Sequence, residues 1–296
     1  MKREVCFLFL IFLLVLGHLL PFGTVHAAWT GTKIYIKPDG SVEPSVAPLV
    51  TSDGVIYILT DDIIGSKISI ERNNIIIEGN NHIIVGTGDG FGISLWYRVN
   101  VMIRNIKIIN FAYGIFFHSC SDCTIINNTV LDSENGISLF DSFNNSIINN
   151  TVSNNDVGIF LVSSNNNIIF NNTISNNERG IILWSSSNNL IYYNSFISNT
   201  HHVSSYDSIN FWDNGRSPGG NYWSDYTGRD SNRDGFGDEP YVIDKDNKDN
   251  YPFISRFKKS IPAEVSEEPP WLIIIIAIAI VAVLLILLLL ILLRRS

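Results

Sequence analysis

Two short stretches hold residue types that bind metals. His118-Ser-Cys120-Ser-Asp-Cys123 sets an imidazole and two thiols within six residues. Copper(I) favours such donors, so a copper site is one expectation for this cluster. The same cysteines are also spaced to close a short-loop disulfide in an oxidising compartment, or to sit as small apolar fillers at a corner. All three readings remain open at this level. The adjacent pair His201 and His202 reads more simply as solvated. The second stretch is Asp230-Ser-Asn232-Arg-Asp234-Gly235-Phe236-Gly-Asp238. Oxygen donors at positions 1, 3, 5 and 9, glycine at 6 and the Phe236 carbonyl at 7 follow the calcium-loop pattern. It departs at position 12, where Tyr241 replaces a bidentate acid, so Asp244 or Asp246 would have to complete the shell. The expectation is a structural calcium ion, and the alternative is a solvated acidic turn.

Covalent chemistry finds less support. Glycosidases need two carboxylates roughly 5–10 Å apart around the scissile bond. The regular part of the chain offers Asp122, Asp132, Glu134, Asp141, Asp156 and Glu178, and Asp132 shares a repeat position with Asn110, Asn154 and Asn176, as a turn residue would. Asp61-Asp62 lies before the regular stack. The reading is a non-catalytic protein, with a polysaccharide hydrolase or lyase as the alternative.

The elements that must position these groups are set by an internal repeat. Gly92, Gly114, Gly136, Gly158 and Gly180 stand 22 residues apart, each followed by isoleucine. Leu95, Phe117, Leu139, Leu161 and Leu183 stand three after the glycine, and Ile103, Ile125, Ile147, Ile169 and Ile191 eleven after it. Each unit holds three short apolar stretches of period two, rich in β-branched residues and separated by Asn, Ser and Gly: strands and tight turns. So short a strand must pair with its equivalent one coil later, about 4.8 Å away. Three strands per turn, parallel pairing and right-handed crossovers predict an all-β, right-handed single-stranded parallel β-helix. The residues one and three after each glycine then face inward and the fourth faces out, giving Trp96, His118, Phe140, Val162 and Trp184. The second position adds Phe116, Phe160 and Ile182. Stacked from coil to coil, these predict an exposed apolar stripe roughly 20 Å long, able to stack on sugar rings or receive a protein partner. Asn128, Asn150, Asn172 and Asn194 share one repeat position and predict a ladder of stacked amides. Asn127, Asn144, Asn149 and Asn171 begin Asn-x-Ser/Thr sequons, which makes glycosylation the rival reading.

The rest of the 296 residues supplies ends and boundaries. Lys2 and Arg3 precede an apolar run and small residues near Ala27, so residues 1–27 read as a signal peptide. Residues 28–66 read as N-terminal strands or cap, 67–200 as the β-helix and 201–257 as an aromatic, acidic cap over its open edge. Residues 258–270 form a charged linker. Residues 271–293 are apolar throughout and long enough to cross a bilayer, and Arg294 and Arg295 place the tail 294–296 in the cytoplasm. The protein is thus expected at the cell membrane as a single-pass chain with its N-terminal domain outside. A formal net charge of −8 argues against nucleic acid as a partner.

The chain resembles the NosD-like parallel β-helix family in its archaeal cell-surface form. The resemblance rests on the run from Ile34 to Ser41, Glu71 to Gly79, the Gly-Ile coils, Gly-Gly-Asn-Tyr-Trp-Ser-Asp-Tyr from Gly219, Asp234 to Tyr241, and Asp249 to Phe253. It implies a β-helix shared with carbohydrate-binding and sugar-hydrolase proteins. For some members it also implies a copper-handling role beside a membrane transporter.

Overall fold

In a computed structural model the described residues are 28–217 and 219–256. The expected signal peptide, linker, membrane span and tail lie outside them. Among the described residues every regular element is a strand. Three parallel sheets form the walls of a β-helix. The first sheet runs through Ile34–Ile36, Ile68–Ile70, Phe91–Trp96, Tyr113–His118, Asn135–Phe140, Val157–Val162, Arg179–Trp184 and His201–Tyr206. The second ends at Leu190–Tyr192 and the third at Tyr222–Trp223. Register is vertical: Ile115 pairs with Ile93 and Ile137, and Ile125 with Ile103 and Ile147.

The apolar columns are buried as their spacing predicts. Ile93, Ile115, Ile137, Ile159 and Ile181 line the core with Leu95, Phe117, Leu139, Leu161 and Leu183. Burying one such side chain contributes about 1.5–3 kcal/mol, so the stack is held by the same increment repeated. The glycine column marks a close approach between coils: a Cβ on Gly136 would lie 2.6 Å from the Gly158 carbonyl oxygen and 2.7 Å from Val152.

The corners use a second rule. Tyr97, Asn100, Asn105 and Asn110 have positive φ, and so do their equivalents one coil later, Ser119, Asp122, Asn127 and Asp132. Asparagine, aspartate and serine tolerate this left-handed backbone because their side chains bond locally. The residue after each usually turns inward. The expected ladder is present there: Asn128, Asn150, Asn172 and Asn194 are buried, and each Nδ2 donates to the Oδ1 of the next. Three further ladders were not predicted: Ser142, Ser164 and Ser186; Asn145, Asn167 and Asn189; and Asn155, Asn177 and Asn199.

Both expected ends of the coiled region move outward. Ile34–Ile36 pairs in parallel with Ile68–Ile70, and Ile56–Leu59 with Ile75–Glu78, so residues 28–66 include a coil of their own. His201–Tyr206 pairs in parallel with Arg179–Trp184, although His202 stands where glycine is expected. The ring of His202 is accommodated beside Phe196 and Trp223. Beyond Tyr206, Asn221 extends the amide ladder from Asn194, and Trp223 stacks on Phe196 at 4.3 Å and on Tyr241 at 4.2 Å.

Candidate binding face

The outer surface of the first sheet carries a continuous aromatic cluster. Trp96 and His118 lie with ring centroids 4.8 Å apart, Phe116 and Phe140 5.3 Å apart, and Phe140 and Phe160 5.4 Å apart. Offset and edge-on contacts at these distances are favourable ring geometries. Trp96 is 42% exposed and Trp184, beyond Val162, is 55% exposed. Trp184 joins Tyr206 at 5.8 Å, making a second, smaller aromatic patch.

Two expected members of the stripe are not open to solvent. Phe116 is only 5% exposed, and Ile182 is also buried. Phe116 faces outward but is covered by Phe91 at 4.6 Å, Tyr113 at 5.2 Å and Trp96 at 5.2 Å. Phe91 and Tyr113, each directly before the repeat glycine, went unread in the sequence. Gly92 and Ile93 both face inward at this bend, since a Cβ on Gly92 would meet Ile108 and Phe111. The inside–outside parity therefore inverts across the glycine. Period two counted straight back from Ile93 puts Phe91 inside, and only the inversion at the glycine turns it onto the outer row.

The metal-donor clusters are placed differently from each other. His118 lies on the outer face, its Nδ1 3.9 Å from an Asp141 carboxylate oxygen. Cys120 and Cys123 are buried in the core as free thiols, so the disulfide is not formed. Cys120 occupies the serine-ladder position, its amide donating to Ser142 Oγ, and Cys123 occupies the asparagine-ladder position, its amide donating to Asn145 Oδ1. Their Sγ atoms point at the carbonyl oxygens of His118 and Ser121. Burial raises both thiol pKa values, Cys123 to about 12, because the core disfavours a charged thiolate.

The calcium-pattern loop is folded on itself. Asp230 accepts from the amides of Asp234 and Gly235, Asp238 accepts from the Ser231 amide, and Asp234 pairs with Arg216. Among the described residues no three side chains of His, Cys, Asp or Glu converge on a metal position. Of the paired histidines, His201 is exposed, whereas His202 is buried with Nε2 3.2 Å from Asp225. Burial lowers the His202 pKa against the raising effect of Asp225. At the sequons, Asn127 and Asn144 are exposed, while Asn149 and Asn171 are half-buried and bonded to each other at 2.6 Å.

The fold and its outer face define a parallel β-helix protein with an aromatic surface. Comparison places it more narrowly: the family described as "Periplasmic copper-binding protein (NosD)" matches residues 27–228, well over half of the chain. The chain belongs to that family. No curated protein matches it. Among solved structures it is similar to the periplasmic alginate epimerase AlgG, with 21% identity and a TM-score of 0.40, covering 45% of this chain. It spans only 32% of the epimerase. An alginate lyase from Paenibacillus sp. str. FPU-7 is 14% identical with a TM-score of 0.38, covering 57% of this chain and 82% of the lyase. These likenesses are of fold alone. The family description implies copper, but His118, Cys120 and Cys123 do not converge on one site: the imidazole lies outside the wall beside Asp141 and both thiols lie buried inside it.

Proposed function

We propose that this domain is a non-catalytic binding module on the outer side of a cell membrane, held there by the apolar C-terminal segment. Its ligand is a polysaccharide laid along the outer face of the first sheet. The observation that supports this reading is the aromatic cluster from Phe91 to Phe160, with Trp96 and Trp184 left open beside it. The C–H faces of a sugar ring lose water against an aromatic plane while the hydroxyls stay solvated at the edges. Coils repeating at about 4.8 Å give a linear polymer a linear track. A surface protein would use the same rings by burying them completely.

Trp96→Ala and Trp184→Ala test the face. Trp184 is 55% exposed, so its loss should shift thermal unfolding by no more than about 2 °C, whereas loss of Trp96 also uncovers Phe116 and should cost more; each should lower affinity for bound glycan severalfold. A large loss of stability in Trp184→Ala would refute its exposed placement, and unchanged affinity for every glycan bound would refute the role of the face. Release of reducing ends or unsaturated products from the glycan would overturn the non-catalytic reading. Copper titration tests the family's copper role: equal uptake by the wild type and a His118→Ala, Cys123→Ser variant is expected from the separated donors.

A further inference from the structure

Beside the aromatic face, the N-terminal coils form a cleft of about 480 Å³ whose lining includes Pro38, Glu71, Arg72, Asn73, Asn74 and Arg98. Two arginines converge there in a chain whose net charge is −8. Among the described residues no carboxylate lies within ion-pair distance of either guanidinium. The Glu71 carboxylate is instead 3.8 Å from Lys37.

The guanidiniums are positioned through main-chain carbonyls. Arg98 Nε donates to the Trp96 oxygen at 2.8 Å and Nη1 to the Glu71 oxygen at 2.7 Å, while Arg72 Nη1 donates to the Pro38 oxygen at 3.2 Å. Arg98 stands at the repeat position filled in later coils by Cys120, Ser142, Ser164 and Ser186. Those side chains make the same bond, to the carbonyl two residues back. The ladder position here therefore carries a cation fixed at Nε and Nη1, whose remaining N–H groups are available to the cleft. Tyr97 links this arginine to Trp96. Its φ is +58°, at a corner position where later coils place Ser119, Asp141, Ser163 and Ser185. A left-handed backbone is unfavourable for a bulky residue, and burial does not offset it here, since Tyr97 is 64% exposed. Tyr97, its exposed ring edge-on to His118 at 5.7 Å, follows an open indole in sequence and precedes a guanidinium with no ion-pair partner, and a left-handed aromatic residue held at the surface there points to ligand contact.

We infer that the Arg72–Arg98 cleft, with Tyr97 and Trp96, selects an anionic polysaccharide, its carboxylate or sulfate groups held by the two guanidiniums while its rings lie on the aromatics. This rests on the reading of the face as a glycan site and adds the charge of the ligand. Carboxylate and sulfate both match the guanidinium fork.

The test is calorimetric titration of the full-length chain with oligogalacturonate, a sulfated galactan oligomer and neutral galacto-oligosaccharide of matched length, at low salt. At least one anionic oligomer should bind about tenfold or more tighter than the neutral one, and molar salt should abolish the difference. Arg72→Gln with Arg98→Gln should bring the ratio of anionic to neutral affinity down to about one. Arg72→Lys with Arg98→Lys should keep part of the preference, which guards against a folding defect in the glutamine variant. Preference for only one anionic oligomer identifies the group recognised. Equal binding of neutral and anionic oligomers, unaffected by the glutamine variant, overturns this inference and leaves the glycan site standing. Binding of none of the three overturns both.

Discussion

The amide ladder offers the sharpest test of what holds the stack together. Asn150 is fully buried and its side chain makes four hydrogen bonds. It accepts from the Asn128 amide at 2.9 Å and from Asn128 Nδ2 at 3.2 Å, and it donates to the Ile125 oxygen at 2.9 Å and to Asn172 Oδ1 at 3.1 Å. Asn150→Ala removes all four. Two neighbours keep other partners: Asn128 Nδ2 still reaches the Ile103 oxygen, and Asn172 Oδ1 still accepts from the Asn150 amide. The Ile125 carbonyl stays in the parallel ladder with Ser146–Ile148, so the Asn128 N–H is the buried group left without its partner. At about 1–3 kcal/mol for that group, plus the cavity left by the amide, the loss should be on the order of 2–4 kcal/mol. That is a large fraction of the roughly 5–15 kcal/mol that holds a domain folded. Urea unfolding followed by circular dichroism gives the number directly. The control is Asn127→Gly, one residue earlier, exposed and at φ +57°, where glycine keeps the left-handed corner. It should cost less than about 1 kcal/mol. Equal effects of the two substitutions, or a loss below about 1 kcal/mol for Asn150→Ala, would refute the ladder as a stabilising element.

Four other outcomes follow from the geometry. Gly136→Ala places a methyl group 2.6 Å from the Gly158 carbonyl, so the variant should unfold at markedly lower temperature or fail to accumulate as folded protein. Asp249 is buried and accepts from the Asn221 amide and Trp223 Nε1, and burial raises its pKa from 3.8 to about 7. A raised carboxyl stabilises most at acidic pH, fully below about 3.8, and that contribution is lost as pH rises toward 7; thermal unfolding with tryptophan fluorescence should show it, and Asp249→Asn should flatten the dependence. Cys120 and Cys123 should resist thiol reagents until the chain is unfolded, and Cys120→Ser, which restores the ladder hydroxyl, should change stability by less than about 1 kcal/mol. The loop Asp230 to Asp238 is proposed to hold calcium, so millimolar calcium should raise the unfolding temperature above a magnesium control, and Asp230→Ala with Asp234→Ala should remove the increment.

What the residues alone determined follows from strict periodicity. A 22-residue spacing of glycine, isoleucine and leucine admits vertical stacking, and stacking dictates which side chains share the core. The fold, the inward columns and one amide ladder were therefore legible without coordinates. The tertiary structure decided the rest, because the neighbours that matter are one coil away or across a bend. Phe116 reads as an exposed ring on its own strand, but Phe91 and Tyr113 cover it, after the parity inversion at the glycine. Cys120 and Cys123 sit close in sequence to His118, yet the corner turns both thiols into the core, where their partners are Ser142 and Asn145, 22 residues on. Arg98 carries no signal in the chain, and only its placement beside Arg72 and the bonds to the Trp96 and Glu71 carbonyls fix it as a directed cation. Periodic order can be read along one dimension; which outward side chains remain open to a ligand depends on the space between coils.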